Sequence, residues 1–116
     1  ESFPCSNGSQ LRDFLYVGDA INAILKCLQS KKLNGEILNI GFGKATSVKK
    51  VINKINMKIK HGKPQFGYIK MRKDEIRSLY PDISKAKKMI NWVPIINFDK
   101  GINKTIIYFR KYFKTS

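Results

Sequence analysis

QLRDFLYVGDAINAILKCL, Gln10 to Leu28, joins a lone arginine to a strongly patterned segment. Val17, Ala20, Ile21, Ile24, Leu25 and Leu28 fall at i, i+3, i+4, i+7, i+8 and i+11, the spacing that lines one face of a 3.6-residue helix. The periodicity predicts a helix that buries this face continuously. Ahead of it, Leu11, Phe14, Leu15, Tyr16 and Val17 make a bulky, β-favouring run, and Asp19 in the first turn suits the positive end of the helix dipole. Arg12 and Asp13 are therefore expected just ahead of a strand-to-helix turn. On the residues alone the pair is either an ordinary surface ion pair or an anchored anion reader, because a planar guanidinium matches phosphate oxygens bidentately.

Outward from this segment, Lys31 to Gly35 reads as a polar turn, and Glu36-Ile37-Leu38-Asn39-Ile40 as a short buried strand that ends in Gly41-Phe42-Gly43. Thr46 or Ser47 can cap a second helix with Val48, Val51, Ile52, Ile55 and Ile59 on its apolar face and a stop at Lys60 to Gly62. Strand, glycine turn and capped helix form an α/β unit. The glycine turn matches neither phosphate-binding pattern. Ala45 follows Lys44 where a Walker loop needs Ser or Thr, and Thr46 stands where G-x-G-x-x-G needs glycine. It is read as a structural turn, using the conformational freedom of glycine.

Residues 61–68, HGKPQFGY, with their Gly and Pro breakers read as a loop leading into a short strand from Phe66 to Met71. Asp82 follows Pro81 as an N-cap for a helix of about two and a half turns, with Ile83, Ala86, Met89 and Ile90 on one face and Pro94 forbidding continuation. A last helix from Phe98 to Phe113, capped by Asn97, is expected to bury Phe98, Ile102, Ile106, Phe109 and Phe113.

The chain has 116 residues, a net charge of +15 and a pI near 10.0. Such a balance raises nucleic acid as a partner, and a small basic nucleic-acid-binding module is the alternative reading. Nineteen of the 23 basic residues are Lys, spread over the polar faces and ends of helices, which looks like compositional bias rather than a patch. The four Arg residues are the scarce ones, and Arg12, Arg72 and Arg77 fall within the informative segments. Cys5 and Cys27 are far apart without a C-x-x-C, and His61 is alone, so neither a disulfide framework nor a metal site is suggested. No apolar run approaches the length of a membrane span and the start is not signal-like, so a cytoplasmic location with no membrane partner is the expectation.

The segment NGSQLRDFLYVGDAINAI resembles the "G-x-x-x-RDF-x-YV-x-D-x-x-x-A" string of the NAD(P)-dependent nucleotide-sugar epimerases and dehydratases, the extended short-chain dehydrogenase/reductase family, with Gly18 where an acidic residue is common. GEILNIGFGKATSVKKVI is similar to the family's "GEIFNIGSGKPISIREVV", in which the glycines turn the last sheet strand into a helix. Arg72, Glu75, Asp82, Ser84, Lys85, Ala86, Trp92, Pro94, Gly101 and Thr105 match its C-terminal signature. The resemblance implies that Arg12 and Arg72 meet the diphosphate of a nucleotide-sugar, and that Glu75 orients an arginine or meets the ribose. Asp82 and Trp92 are read as a cap and a packed indole, and Arg77 as a surface residue.

The same resemblance implies an α/β fold that is the C-terminal portion of an extended Rossmann-type fold, with one buried strand, short strands and about four helices. Residues 1–116 would form a single substrate-binding region with the NAD-binding part absent. Family chemistry needs a glycine-rich cofactor loop and a Tyr-x-x-x-Lys pair, and the chain has neither. NAD or NADP is thus expected in a full-length parent, with no cofactor site, no catalytic residue and no metal in this chain, which should not catalyse alone. The signature near Arg72 to Ile83 resembles branches that handle deoxysugars for surface polysaccharides. The strand at 36–40 is expected to expose an apolar edge, so self-association or a missing N-terminal portion would follow.

Overall fold

A computed structural model describes residues 1–113. In chain order its elements are β1 (Ser2–Pro4), β2 (Leu11–Arg12), α1 (Val17–Gln29), β3 (Thr46–Ser47), α2 (Val48–Ile59), β4 (Lys63–Gln65), β5 (Ser78–Leu79), α3 (Ser84–Ile90) and α4 (Phe98–Tyr112). The α/β class and the four helices agree with the sequence reading. Two small sheets organise the strands. β1 and β4 run parallel, while β2 lies between antiparallel β3 and parallel β5.

Local chemistry explains the helix ends. The Ser47 hydroxyl accepts the Lys50 amide at 3.3 Å, and the Asn97 side chain accepts the Lys100 amide at 3.0 Å, each meeting an otherwise unpaired donor of the first turn. The Asp82 carboxylate accepts the Ser84 amide at 2.8 Å at the head of α3. α3 is seven residues long, slightly shorter than expected, and ends at Asn91, which takes the left-handed conformation at φ 49° that Asn tolerates.

The core gathers Ala23 of α1, Ala86 and Ile90 of α3, and the fully buried Trp92, with Leu15, Cys27, Leu33, Leu38 and Ile40 packed around them. Alanines at the helix contact leave room for the indole. Its N–H donates to the Asp19 carbonyl at 3.2 Å, so the ring is buried without orphaning its donor. Asp19 does more than meet a helix dipole. Its carboxylate is buried and accepts the amides of Ile95 at 3.2 Å and Ile96 at 2.9 Å, tying the approach to α4 onto the head of α1.

Four expectations are corrected. The face of α1 bearing Val17, Ile21, Ile24, Leu25 and Leu28 is exposed, and the helix packs instead through Ala23 and Asp19. Periodicity marks the face that favours burial, but no described element covers it. Residues 36–40 form no strand. Leu38 and Ile40 turn toward the core while Ile37 is 82% exposed, the alternation of a strand with no neighbour to complete a ladder. The strand expected at Phe66 to Met71 lies earlier, as β4, where Lys63 to Gln65 pair with Ser2 to Pro4. Phe109 and Phe113 are exposed and stack on each other with ring centroids 5.2 Å apart, because the end of α4 runs past the body that buries its start. The Cα radius of gyration is 17.0 Å, against about 13 Å for a closed globule of this length. With extents of 52 × 39 × 18 Å the chain is a slab with uncovered apolar faces.

Trp92→Ala removes the largest buried side chain, and urea unfolding should show a loss of about 3–5 kcal/mol. Two carboxyls set an acid limit. Asp82 lies below its ordinary value because the Ser84 amide bonds its ionised form, and Asp99 does so because the Lys54 ammonium bonds it. Each group binds its proton less tightly folded than unfolded, so its contribution is complete above the ordinary value of 3.8 and is lost as pH falls through the lowered native one. Asp99→Asn should therefore flatten the fall in urea midpoint between about pH 5 and pH 2.

Candidate functional site

β5 runs parallel to β2 with Leu11 opposite Ser78 and Arg12 opposite Leu79, and the Leu11 amide donates to the Arg77 carbonyl at 2.7 Å. This short ladder lays residues 72–77 against Arg12, from which they are separated by some sixty residues of chain. The Arg12 Nη1 donates to the carbonyls of Leu11 at 2.8 Å and Ile76 at 2.7 Å, and its Nη2 to Oε1 of Glu75. Arg72 Nε donates to the other carboxylate oxygen, Oε2, at 3.3 Å. Glu75 thus holds both arginines through its two oxygens.

Exposure separates the roles open to the three residues. The Arg12 and Glu75 side chains are 25% and 16% exposed, whereas that of Arg72 is 80% exposed. A guanidinium carries five N–H groups, so three bonds to protein leave Arg12 its Nε–H and one Nη2–H. Arg72 keeps all its Nη donors open among the described bonds.

A cavity of about 500 Å³ opens beside them, lined by Asn7, Ser9, Met71, Arg72, Lys73, Glu75 and Arg77. Arg12 stands behind Glu75 rather than in the wall. The Ser9 hydroxyl donates to Asn7 Oδ1 at 2.9 Å and approaches Met71 Sδ at 3.6 Å, which ties the wall across the two segments. Three cations and one carboxylate line the cavity, and that excess suits an anion. The structure therefore brings Arg12, Arg72 and Glu75 together. It adds Lys73 and Arg77, along with Asn7 and Ser9, which the sequence reading had not placed there. Arg77 had one signal, its membership in a set of only four arginines.

The glycine turn does not offer its amides to a ligand. Asp13 Oδ1 accepts the Phe42 amide at 2.8 Å, and Oδ2 accepts those of Gly43 at 2.7 Å and Lys44 at 3.2 Å. Gly43 has φ +77°, and a Cβ on Gly41 would lie 2.3 Å from Pro81 Cγ, so both positions require glycine. With these three amides donating to Asp13, the glycine turn is closed by a side chain of its own chain.

A family model described as GDP-mannose 4,6 dehydratase matches residues 1–105. UDP-glucuronate 4-epimerase of Thermodesulfobacterium geofontis is 35% identical over 101 residues, covering 86% of this chain and 30% of that protein. The crystal structure of UDP-glucose 4-epimerase from Thermotoga maritima with UDP-glucose is similar at a TM-score of 0.84 and 28% identity, covering 97% of this chain and 36% of that one. UDP-glucuronic acid 4-epimerase from Bacillus cereus, in complex with UDP-glucuronic acid and NAD, gives 0.82 at 26% identity, with 96% and 36% covered. The chain spans about a third of the length of these relatives.

The geometry ranks the two ion pairs. A double-mutant cycle between Arg12 and Glu75 should give a coupling of about 1.5–3 kcal/mol, as for partly buried hydrogen bonds to charge, and that between Arg72 and Glu75 below about 1 kcal/mol, as for an exposed pair. Urea denaturation of the single and double alanine variants measures both.

Proposed function

The chain belongs to the GDP-mannose 4,6 dehydratase family, within the NAD-dependent epimerases and dehydratases, and on that premise we propose that it is the nucleotide-sugar-binding portion of such an enzyme. One observation carries the reading. Arg12 and Arg72, distant in sequence, converge on Glu75 at the wall of a cationic cavity.

In this reading a diphosphate enters beside Glu75 and takes the open Nη donors of Arg72, with the two uncommitted N–H groups of Arg12 behind it. Charge-assisted bonds of this kind contribute about 1.5–3 kcal/mol each. Glu75 keeps the guanidinium groups apart and oriented, so less ordering is left to the binding step. The cofactor, NAD in the Bacillus cereus relative and NAD or NADP here, belongs to the parent enzyme. The substrate we assign is a nucleotide-diphosphate sugar. The sequence likeness around Arg72 to Ile83 supports a place in deoxysugar or surface-polysaccharide biosynthesis, in the cytoplasm.

Titration calorimetry with UDP-, GDP-, CDP- and dTDP-sugars tests the reading. Arg12→Ala and Arg72→Ala should each weaken the preferred ligand about tenfold or more, the equivalent of one charge-assisted bond. Lys50→Ala and Lys88→Ala, away from the cavity, should be nearly silent. Equal losses from Lys and Arg changes, with binding collapsing as salt rises, would point instead to nonspecific polyanion binding.

A further inference from the structure

Asp13 follows Arg12 directly, yet the two side chains serve different neighbours. Arg12 reaches Glu75 and the Ile76 carbonyl, while Asp13 reaches the Phe42, Gly43 and Lys44 amides. Successive residues of an extended segment point to opposite sides, so one short piece of chain is held from both. The three amides form a concave nest of the kind that binds anions, and here its anion is a side chain of the same chain. The rest of the junction is equally crowded. Gly41 admits no Cβ against Pro81 and Asp13, and Ile83 packs at 3.3 Å from the Cβ position of Gly43. Pro81 and Ile83 follow β5, whose pairing with β2 builds the arginine cluster.

We propose that Asp13 is a positioning residue for Arg12. By filling the nest at residues 42–44 it locks the end of β2 against the glycine turn and against the chain after β5, and so fixes where the Arg12 guanidinium stands. An arginine pinned only by its own bonds to Glu75 and Ile76 would swing with the end of a two-residue strand. With Asp13 seated, backbone movement there must break three bonds to a carboxylate. The proposal rests on the diphosphate reading for its ligand and on the nest geometry for its structure, and the two can fail separately.

UDP and UMP are titrated calorimetrically into the unsubstituted chain, Asp13→Ala and Asp13→Asn at about 0.15 M salt, where surface charge is screened, with and without acetate in the tens of millimolar. Asp13→Asn leaves one acceptor oxygen in the nest and provides a second variant should the alanine fail to fold. In both variants UDP affinity should fall about tenfold and UMP affinity by less than about threefold, since the longer phosphate chain depends most on the placed arginines. Acetate, as a free carboxylate, should restore part of the loss in Asp13→Ala. Equal losses for UDP and UMP, or indifference to acetate, would show a merely structural residue and overturn the proposal. If the unsubstituted chain binds none of UDP, GDP, CDP and dTDP, the diphosphate reading fails, and the Arg12 Nε–H resonance decides on Asp13. Broadening in both variants supports the positioning role, and an unchanged resonance refutes it.

Discussion

The pairing of β2 with β5 is the constraint on which the rest of the site depends. Only Leu11 and Arg12 face Ser78 and Leu79, and a ladder this short has little stability of its own. It persists because both strands are held from outside. β3 continues into α2 behind a Ser47 cap, and the chain after β5 passes Pro81 against Gly41 before entering α3. The reward is the meeting of Arg12, Arg72 and Glu75, which no local propensity could bring about.

Local features were legible in the sequence wherever a side chain satisfies its own neighbourhood. Ser47 and Asn97 cap their helices for the expected reason, and Trp92 packs as an indole closing a small core. Asp82 bonds the Ser84 amide from one residue before the cap position at Ile83 rather than as the expected N-cap. Arg12, Arg72 and Glu75 were singled out by their motifs, and the fold brings them into one cluster. Features that depend on a distant partner were not legible. Nothing in the spacing of Asp13 foretells its bonds to residues 42–44, or in that of Asp19 its hold on Ile95 and Ile96. Arg77 carries no pattern of its own, and only the register of β5 brings it to the cavity.

The opposite error arose on α1. Its apolar period is genuine, but the face it marks is left open, with Leu28 78% exposed. Ile37 points outward from an extended segment without a ladder, and the last turns of α4 carry stacked aromatic rings into solvent. An amphipathic pattern states where burial is favourable, and only packing partners decide whether it happens. Thin in one dimension and apolar on its open faces, the chain has the form of a layer that favours a second layer. The cavity is walled by residues of the loops between the short strands, with Arg72, Lys73 and Arg77 as its cations.

The most direct measurement follows the arginine side chains themselves. In a chain labelled with ¹⁵N-arginine, UDP is added at near-physiological salt while the Nε–H resonances of Arg12, Arg72, Arg77 and Arg110 are recorded. Saturable shifts of Arg12 and Arg72 with one common dissociation constant, and an unmoved Arg110 on the far end of α4, are what the account predicts. Uniform small shifts of all four that vanish as salt is raised would contradict it.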